Sequence, residues 1–208
     1  MRDIRQGSGI FTGDRACRVF LPVLWGLFAF LLVGCGRDVT EATNRFVSRE
    51  FGFEISVPQE LAQAGWFIVP ERELTFSHQY QPPDTSVVEP VAVVVPPTER
   101  ASVLAPFFVD VFRLRNPSAT PKDLGDMRTG QVGEKLRSRR LLVINDESAE
   151  ELVHGEGNSV MYETFLARQG LGYAIHTLGA SDTSTTATSF MIDAEVYRQV
   201  IQTFRFRE

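Results

Sequence analysis

At 208 residues the chain is long enough for one well-packed domain, with little left for a second. Hydrophobic residues make up 43% and charged residues 23%, ordinary for a globular protein, and the net charge is −5. Both cysteines, Cys17 and Cys35, fall near the N-terminus, so the rest of the chain has no thiols for a disulfide framework, a Cys-based zinc site or a CxxC redox pair.

The first 35 residues hold Arg2, Arg5, Arg15 and Arg18 against Asp3 and Asp14. Residues 36–208 carry 17 basic and 24 acidic side chains, a net −7. Polyphosphate repels so acidic a domain, which excludes nonspecific binding of nucleic acid.

The arginines lead into "VFLPVLWGLFAFLLV", 15 residues from Val19 to Val33. A helix needs roughly 20 apolar residues to span a bilayer. A basic start, a short apolar run and small residues after it describe a secretory signal. The four positions Leu32, Val33, Gly34 and Cys35 resemble the lipobox of bacterial lipoproteins. That resemblance implies a diacylglycerol thioether on Cys35, cleavage just before it, and acylation (palmitate) of the new amino group. A single acyl chain binds membranes only marginally, so two or three make a lasting anchor. Gly36 after the cysteine carries no inner-membrane retention signal, which points to the outer membrane, facing the periplasm, in a cell with two membranes. The expected organisation is a cleaved signal over 1–34, a lipidated cysteine and tether over 35–44, and one domain over 45–208.

From Arg45 the pattern alternates as in β-strands. In "RFVSREFGFEISVP", Phe46, Ser48, Phe53, Ile55 and Val57 share a face, and Phe51–Gly52 marks a turn. "QELAQAG" predicts a short helical turn before Trp66. "ELTFSHQYQ" (73–81) reads as a second strand and "VVEPVAVVV" (87–95) as a third, with Pro90 implying an edge or a bulge. "PPTERASVLAPFFVDVFRLRNP" predicts a helix capped by Thr98: Val103, Leu104, Phe107, Phe108, Val111, Phe112 and Leu114 recur at helical spacing. Pro106 kinks that helix or sets its start later.

"SATPKDLGDMRTGQVG" reads as a loop, and "KLRSRRLLVIN" as a strand. "DESAEELVHGEG" reads as a turn followed by a short strand at 151–154. "SVMYETFLAR", "QGLG" and "YAIHTLGAS" form a hairpin, followed by a Ser/Thr-rich loop. A closing helix places Phe190, Val196, Tyr197, Val200, Ile201 and Phe204 on one face, with Asp193 as a cap. The expected fold is α+β: a single, mostly antiparallel sheet of about six or seven strands covered by two or more helices.

Several of these stretches together resemble the PsbP-like fold. It is shared by the extrinsic PsbP proteins of photosystem II, a Ran-binding nuclear import factor and bacterial lipoproteins of the DcrB type. The residues that carry the resemblance are "FGFEISVP" with Trp66 after it, "ELTFSH", "FFVDVF", "MYETFLARQGLGYAIHTLG" and "VYRQVIQTFRF", with Thr203 where the family has Ser. The resemblance implies an accessory or assembly role exercised by binding other proteins.

Candidate chemistry is sparse. His78 and His176 read as histidines satisfied within a sheet. The weak metal candidates are Glu150, His154 and Glu156 in the acidic segment, which lacks the alternating ligands and sixth-position glycine of an EF-hand. No GxSxG elbow and no phosphate-cradling glycine loop are present. The basic "KLRSRR" reads as the exposed face of a strand, with anionic headgroups or an acidic partner as the alternative. The expectation is therefore a non-enzymatic protein, without a cofactor beyond the covalent lipid, which binds membrane lipid through its anchor and another envelope protein through its domain. The alternative is a small-ligand or metal-binding lipoprotein.

Overall fold

The computed structural model of the chain describes residues 43–70, 80–84, 88–101, 103–157, 159–177 and 191–208. They belong to one compact unit, Ala42–Glu208. The predicted signal and lipid site, most of the predicted 73–81 strand, His78, Phe190 and the Ser/Thr-rich loop lie outside the described residues.

Chain order gives β1 (Arg45–Ser48), β2 (Phe53–Ser56), α1 (Gln59–Gln63), β3 (Phe67–Pro70), β4 (Val88–Val95) and β5 (Phe107–Arg113). Then come α2 (Pro121–Val132), β6 (Leu136–Ile144), β7 (Glu147–His154), β8 (Met161–Arg168), β9 (Leu171–Thr177), α3 (Ala194–Ile201) and β10 (Arg205–Phe206). Seven strands form an antiparallel sheet in the order β3-β4-β5-β9-β8-β7-β6, and β1-β2-β10 form a separate three-stranded antiparallel sheet. The α+β class and the seven-stranded antiparallel sheet are as the sequence predicts; the second sheet is an addition.

The helix expected from Thr98 is not there. Residues 98–101 are turns, and "FFVDVFR" is β5, near the middle of the large sheet. Every residue of β5 but Arg113 is buried. A strand covered on both faces shows a continuous apolar run, which periodicity alone cannot tell from a buried helix. Phe107, Val109 and Val111 enter one core; Phe112 enters another and Phe108 stacks on His176 on that same side. Pro106 sits just before the strand, where its missing N–H costs no ladder bond.

The predicted loop after Asn116 is instead α2. Its polar composition offers no apolar stripe, but its start is specified. Thr120 accepts from the Asp123 amide at 3.2 Å and the Asp123 carboxylate accepts from the Thr120 amide at 2.8 Å, a capping box, with Pro121 at the first position. Leu124 and Gly125 press on the sheet. A Cβ at Gly125 would strike Glu150, so this glycine permits close approach.

Other expectations hold. The Pro90 irregularity is a bulge between Pro90 and Ala92, inside the sheet and not at its edge. β8 and β9 form the predicted hairpin, with Gln169 (φ 52°) and Gly170 (φ 78°) as its left-handed turn. Asp193 caps α3 through the Val196 amide at 3.1 Å.

Two layers flank the large sheet. On one face lie the three-stranded sheet and α3. There Trp66 stacks on Phe107 at 5.3 Å, Phe107 meets Tyr197 edge-on, and Phe53 stacks on Phe204 at 5.2 Å. Thr203, at the position where the resemblance expects Ser, accepts from the Ser56 amide at 2.9 Å and joins α3 to β2. On the other face α2 covers Leu152, Phe165 and Ala174. Gly172 lies against the ring of Phe112, where any Cβ would overlap it. Gly172→Ala should therefore destabilise the domain by about 1–3 kcal/mol through overpacking, read as a lowered urea midpoint with unchanged slope.

Candidate functional site

The face under α2 holds a row of buried polar side chains, set side by side by the strand register. β5 contributes Asp110, β9 contributes His176, β8 contributes Glu163 directly opposite His176, and β7 contributes His154. Asp110, Glu163 and His176 are at most 1% exposed. His176 Nε2 lies 2.8 Å from Asp110 Oδ2, and Nδ1 lies 3.1 Å from the Thr177 carbonyl. Both ring nitrogens thus lie within hydrogen-bond distance of an oxygen. Tyr80 covers one side of that ring at 4.0 Å, and Phe108 stacks on it at 5.6 Å.

Glu163 is held from two sides. Arg128 of α2 donates a fork, Nε and Nη2 each 2.7 Å from a carboxylate oxygen. His154 Nε2 is 2.7 Å from Oε2. Burial alone would raise the Glu163 pKa; the His154 bond and the Arg128 charge outweigh it and hold the carboxyl below its ordinary 4.5. Burial first, then the Glu163 carboxylate, pushes the Tyr80 hydroxyl well above its ordinary value. On the opposite face burial does the same to Tyr197, whose hydroxyl donates to the Ile175 carbonyl at 2.7 Å.

These groups form acid–imidazole pairs, but a hydrolytic site also needs a nucleophile within hydrogen-bond reach of the base and a path for substrate. Here the imidazole nitrogens of His176 are taken up by Asp110 and a backbone carbonyl, and its ring faces are stacked. The arrangement is that of a satisfied sheet histidine, as the sequence predicts for His176.

The three weak metal candidates do not converge. Glu150 takes an ion pair from Arg139, His154 pairs with Glu163, and Glu156 pairs with Lys135 at 3.0 Å. The strand expected at 151–154 is there but begins earlier, at Glu147. Among the described residues no group of three or more His, Cys, Asp or Glu side chains gathers where a metal could sit. Nor is any helix among them long and apolar enough to cross a membrane.

The basic run after Lys135 is the edge strand β6, as expected. Its arginines are engaged: Arg137 donates to the carbonyls of Gly155 and Gly157, Arg139 binds Asp126 and Glu150, and Arg140 binds Glu151 at 2.8 Å. The second half of that edge carries Leu141 and Val143, 65% and 67% exposed, on the face that α2 covers further along. The outer rim of β6 pairs with no other strand among the described residues.

On the three-stranded sheet, Phe46, Phe53 and Ile55 face inward and Arg45, Val47, Glu54 and Arg205 face outward. Glu54 collects three guanidinium groups: Arg45 at 2.6 Å, Arg205, and Arg207 at 3.4 Å. Almost none of Glu54 meets solvent, yet its cover is guanidinium and not packed chain. The Arg45 bond, with that of Arg205, lowers its carboxyl pKa against the opposing effect of burial. A depression beside it is lined by Val47, Arg49, Arg207 and Glu208. Acids that cluster along the chain draw attention to the Glu150 segment. The Glu54 cluster escapes a linear reading because Arg205 and Glu54 stand 151 residues apart and meet through β2–β10 pairing.

No protein-family model and no curated protein matches the chain. Among solved structures it is similar to the solution structure of cyanobacterial PsbP (CyanoP) from Synechocystis sp. PCC 6803, with 13% sequence identity and a TM-score of 0.47, covering 83% of this chain and 96% of that one. A likeness of that size assigns no function.

Glu163→Gln should leave Arg128 and His154 facing a neutral amide under α2, at a cost of about 3–5 kcal/mol. The pH dependence has a definite sign. A carboxyl whose pKa is lowered by folding contributes stability above its unfolded value, and that stability is lost as pH falls through its folded value. The wild-type urea midpoint should therefore decline below pH 4.5, and that of the variant should decline less.

Proposed function

We propose that the mature protein is a lipid-anchored, non-catalytic accessory factor of a bacterial cell envelope, which holds another envelope protein at the membrane surface. The observation that carries this reading is "LVGC" at 32–35, at the end of a 15-residue apolar run that a basic start precedes. A thioether needs a thiol, and after cleavage Cys35 is the sole cysteine left to the chain.

The domain supports a binding role in two ways. Its titratable groups on the α2 face are consumed by one another, so the charge there works in folding. Two of its exposed apolar side chains, Leu141 and Val143, lie together on β6, a sheet edge that pairs with no other strand among the described residues and whose main-chain groups accept an added strand. Outer-membrane attachment facing the periplasm is the placement that Gly36 favours.

Metabolic labelling with radioactive palmitate should mark the wild type and not Cys35→Ser, and the variant should run larger because its signal is retained. A photo-crosslinker at Leu141 should capture one dominant envelope protein from cells carrying the wild type. Labelling that survives in the serine variant would sink the anchor. A crosslinking pattern without a dominant species would sink the partner.

A further inference from the structure

We propose that the cleft between the β1–β2 turn and the end of the large sheet is a binding site for short free peptides, taken up as zwitterions. This goes beyond the anchored, partner-holding role and does not rest on it.

The cleft has two parts, of about 370 Å³ and about 250 Å³. Glu50, Phe51 and Glu89 line both, so the cleft is continuous, and its size is that of a small-molecule site. One wall is the β1–β2 turn, which is held in place from three directions. The Ser48 hydroxyl accepts from the Phe51 amide at 3.2 Å, the Tyr173 hydroxyl donates to the Phe51 carbonyl at 2.8 Å, and the Arg207 amide donates to the Gly52 carbonyl at 2.8 Å. A wall fixed in advance lowers the ordering cost of binding. The other wall is the end of the large sheet, where Val111 of β5 and Leu171 of β9 give an apolar floor. From β4 to β9 is two strand spacings, about 10 Å, the length of about three extended residues.

The charges in the cleft are opposite and unspent. Glu50 and Glu89 stand in both parts, with Arg49 in the larger and Arg113 in the smaller. None of the four forms an ion pair or a side-chain hydrogen bond among the described residues. Glu89 lies opposite Val111, so Arg113 is its diagonal neighbour on the same face, about 7–8 Å away at the backbone. The same diagonal relation joins Arg139 to Glu150 across β6–β7, and there the ion pair forms. Two acids and two arginines balance, so neither a cation nor an anion alone satisfies the cleft. A free peptide does: its α-ammonium meets Glu50 and Glu89, and its α-carboxylate meets the guanidinium fork of Arg113.

The bulge in β4 supplies a contact for the peptide bond between those ends. Val91 lines the cleft and falls outside both ladders, since β3 pairs only from Ala92 onward and β5 passes from Pro90 to Ala92. A residue left out of the ladder keeps its main-chain groups for another partner.

The test is isothermal titration calorimetry of the full mature lipoprotein in detergent with Ala-Leu-Ala, its N-acetyl form and its C-terminal amide. The free tripeptide should bind with a Kd between about 10 µM and 1 mM. Acetylation and amidation should each weaken it roughly tenfold, the loss of one charged contact. Glu89→Gln should weaken the free peptide roughly tenfold and leave the acetylated one unchanged, and Arg113→Gln should do the same with respect to the amide. Both side chains are exposed, so both variants should unfold at the wild-type temperature.

No heat of binding up to about 10 mM tripeptide overturns the proposal, and so does binding that neither variant weakens. Sensitivity to acetylation alone, with amidation and Arg113→Gln silent, overturns it as well and makes a simple amine the occupant.

Discussion

Strand β5 is buried on both sides, and that requirement organises the layers around it. A sequence of Phe, Val and one Asp cannot leave either face in water without exposing a large apolar patch. The chain meets the requirement twice, by different means. On one side it lays the three-stranded sheet and α3, bringing Phe53, Trp66, Tyr197 and Phe204 against Phe107, Val109 and Val111. On the other it lays α2, a helix with little apolar surface.

A cover so polar explains the buried charges beneath it. Leu124 alone supplies little hydrophobic adhesion, so α2 is fixed by Arg128 reaching down to Glu163 and by the Arg139–Asp126 bridge from β6. Such pairs add little net stability, because desolvation offsets attraction, but they tolerate no slip of register. A helix shifted by one residue would take Arg128 off Glu163 and leave a carboxylate uncompensated in the interior. The buried row thus sets the position of a helix that packing alone would leave loosely specified.

This division also decides how much of the structure is legible in the sequence. The β8–β9 hairpin, β4 with its bulge, β6 and the capped α3 are legible because each depends on residues close along the chain. β5 reads as a helix because six consecutive buried residues satisfy helical and extended spacing alike, and the deciding fact, cover on both faces, comes from distant segments. α2 reads as a loop because of its composition; its one local signal, Thr120 with Asp123 three residues on, is easily outweighed by Gly125 and Gly130. Asp110 is a clue of another kind. A lone acid in "FFVDVF" must find a partner if buried, yet nothing local says that the partner is His176. The Glu54 cluster is illegible for the same reason, since its arginines come from both ends of the domain.

The buried polar groups of the α2 face pair with one another, and two further features lie at the periphery of the domain. The two peripheral features differ in kind. The β6 edge presents main-chain groups and two aliphatic side chains, suited to a partner that pairs backbone to backbone. The Glu54 face presents guanidinium groups gathered on a carboxylate that almost no solvent reaches. They lie on opposite sides of the large sheet. The ion-paired face is closed by its own side chains, whereas the β6 edge keeps a rim of main-chain groups that no other strand takes up among the described residues.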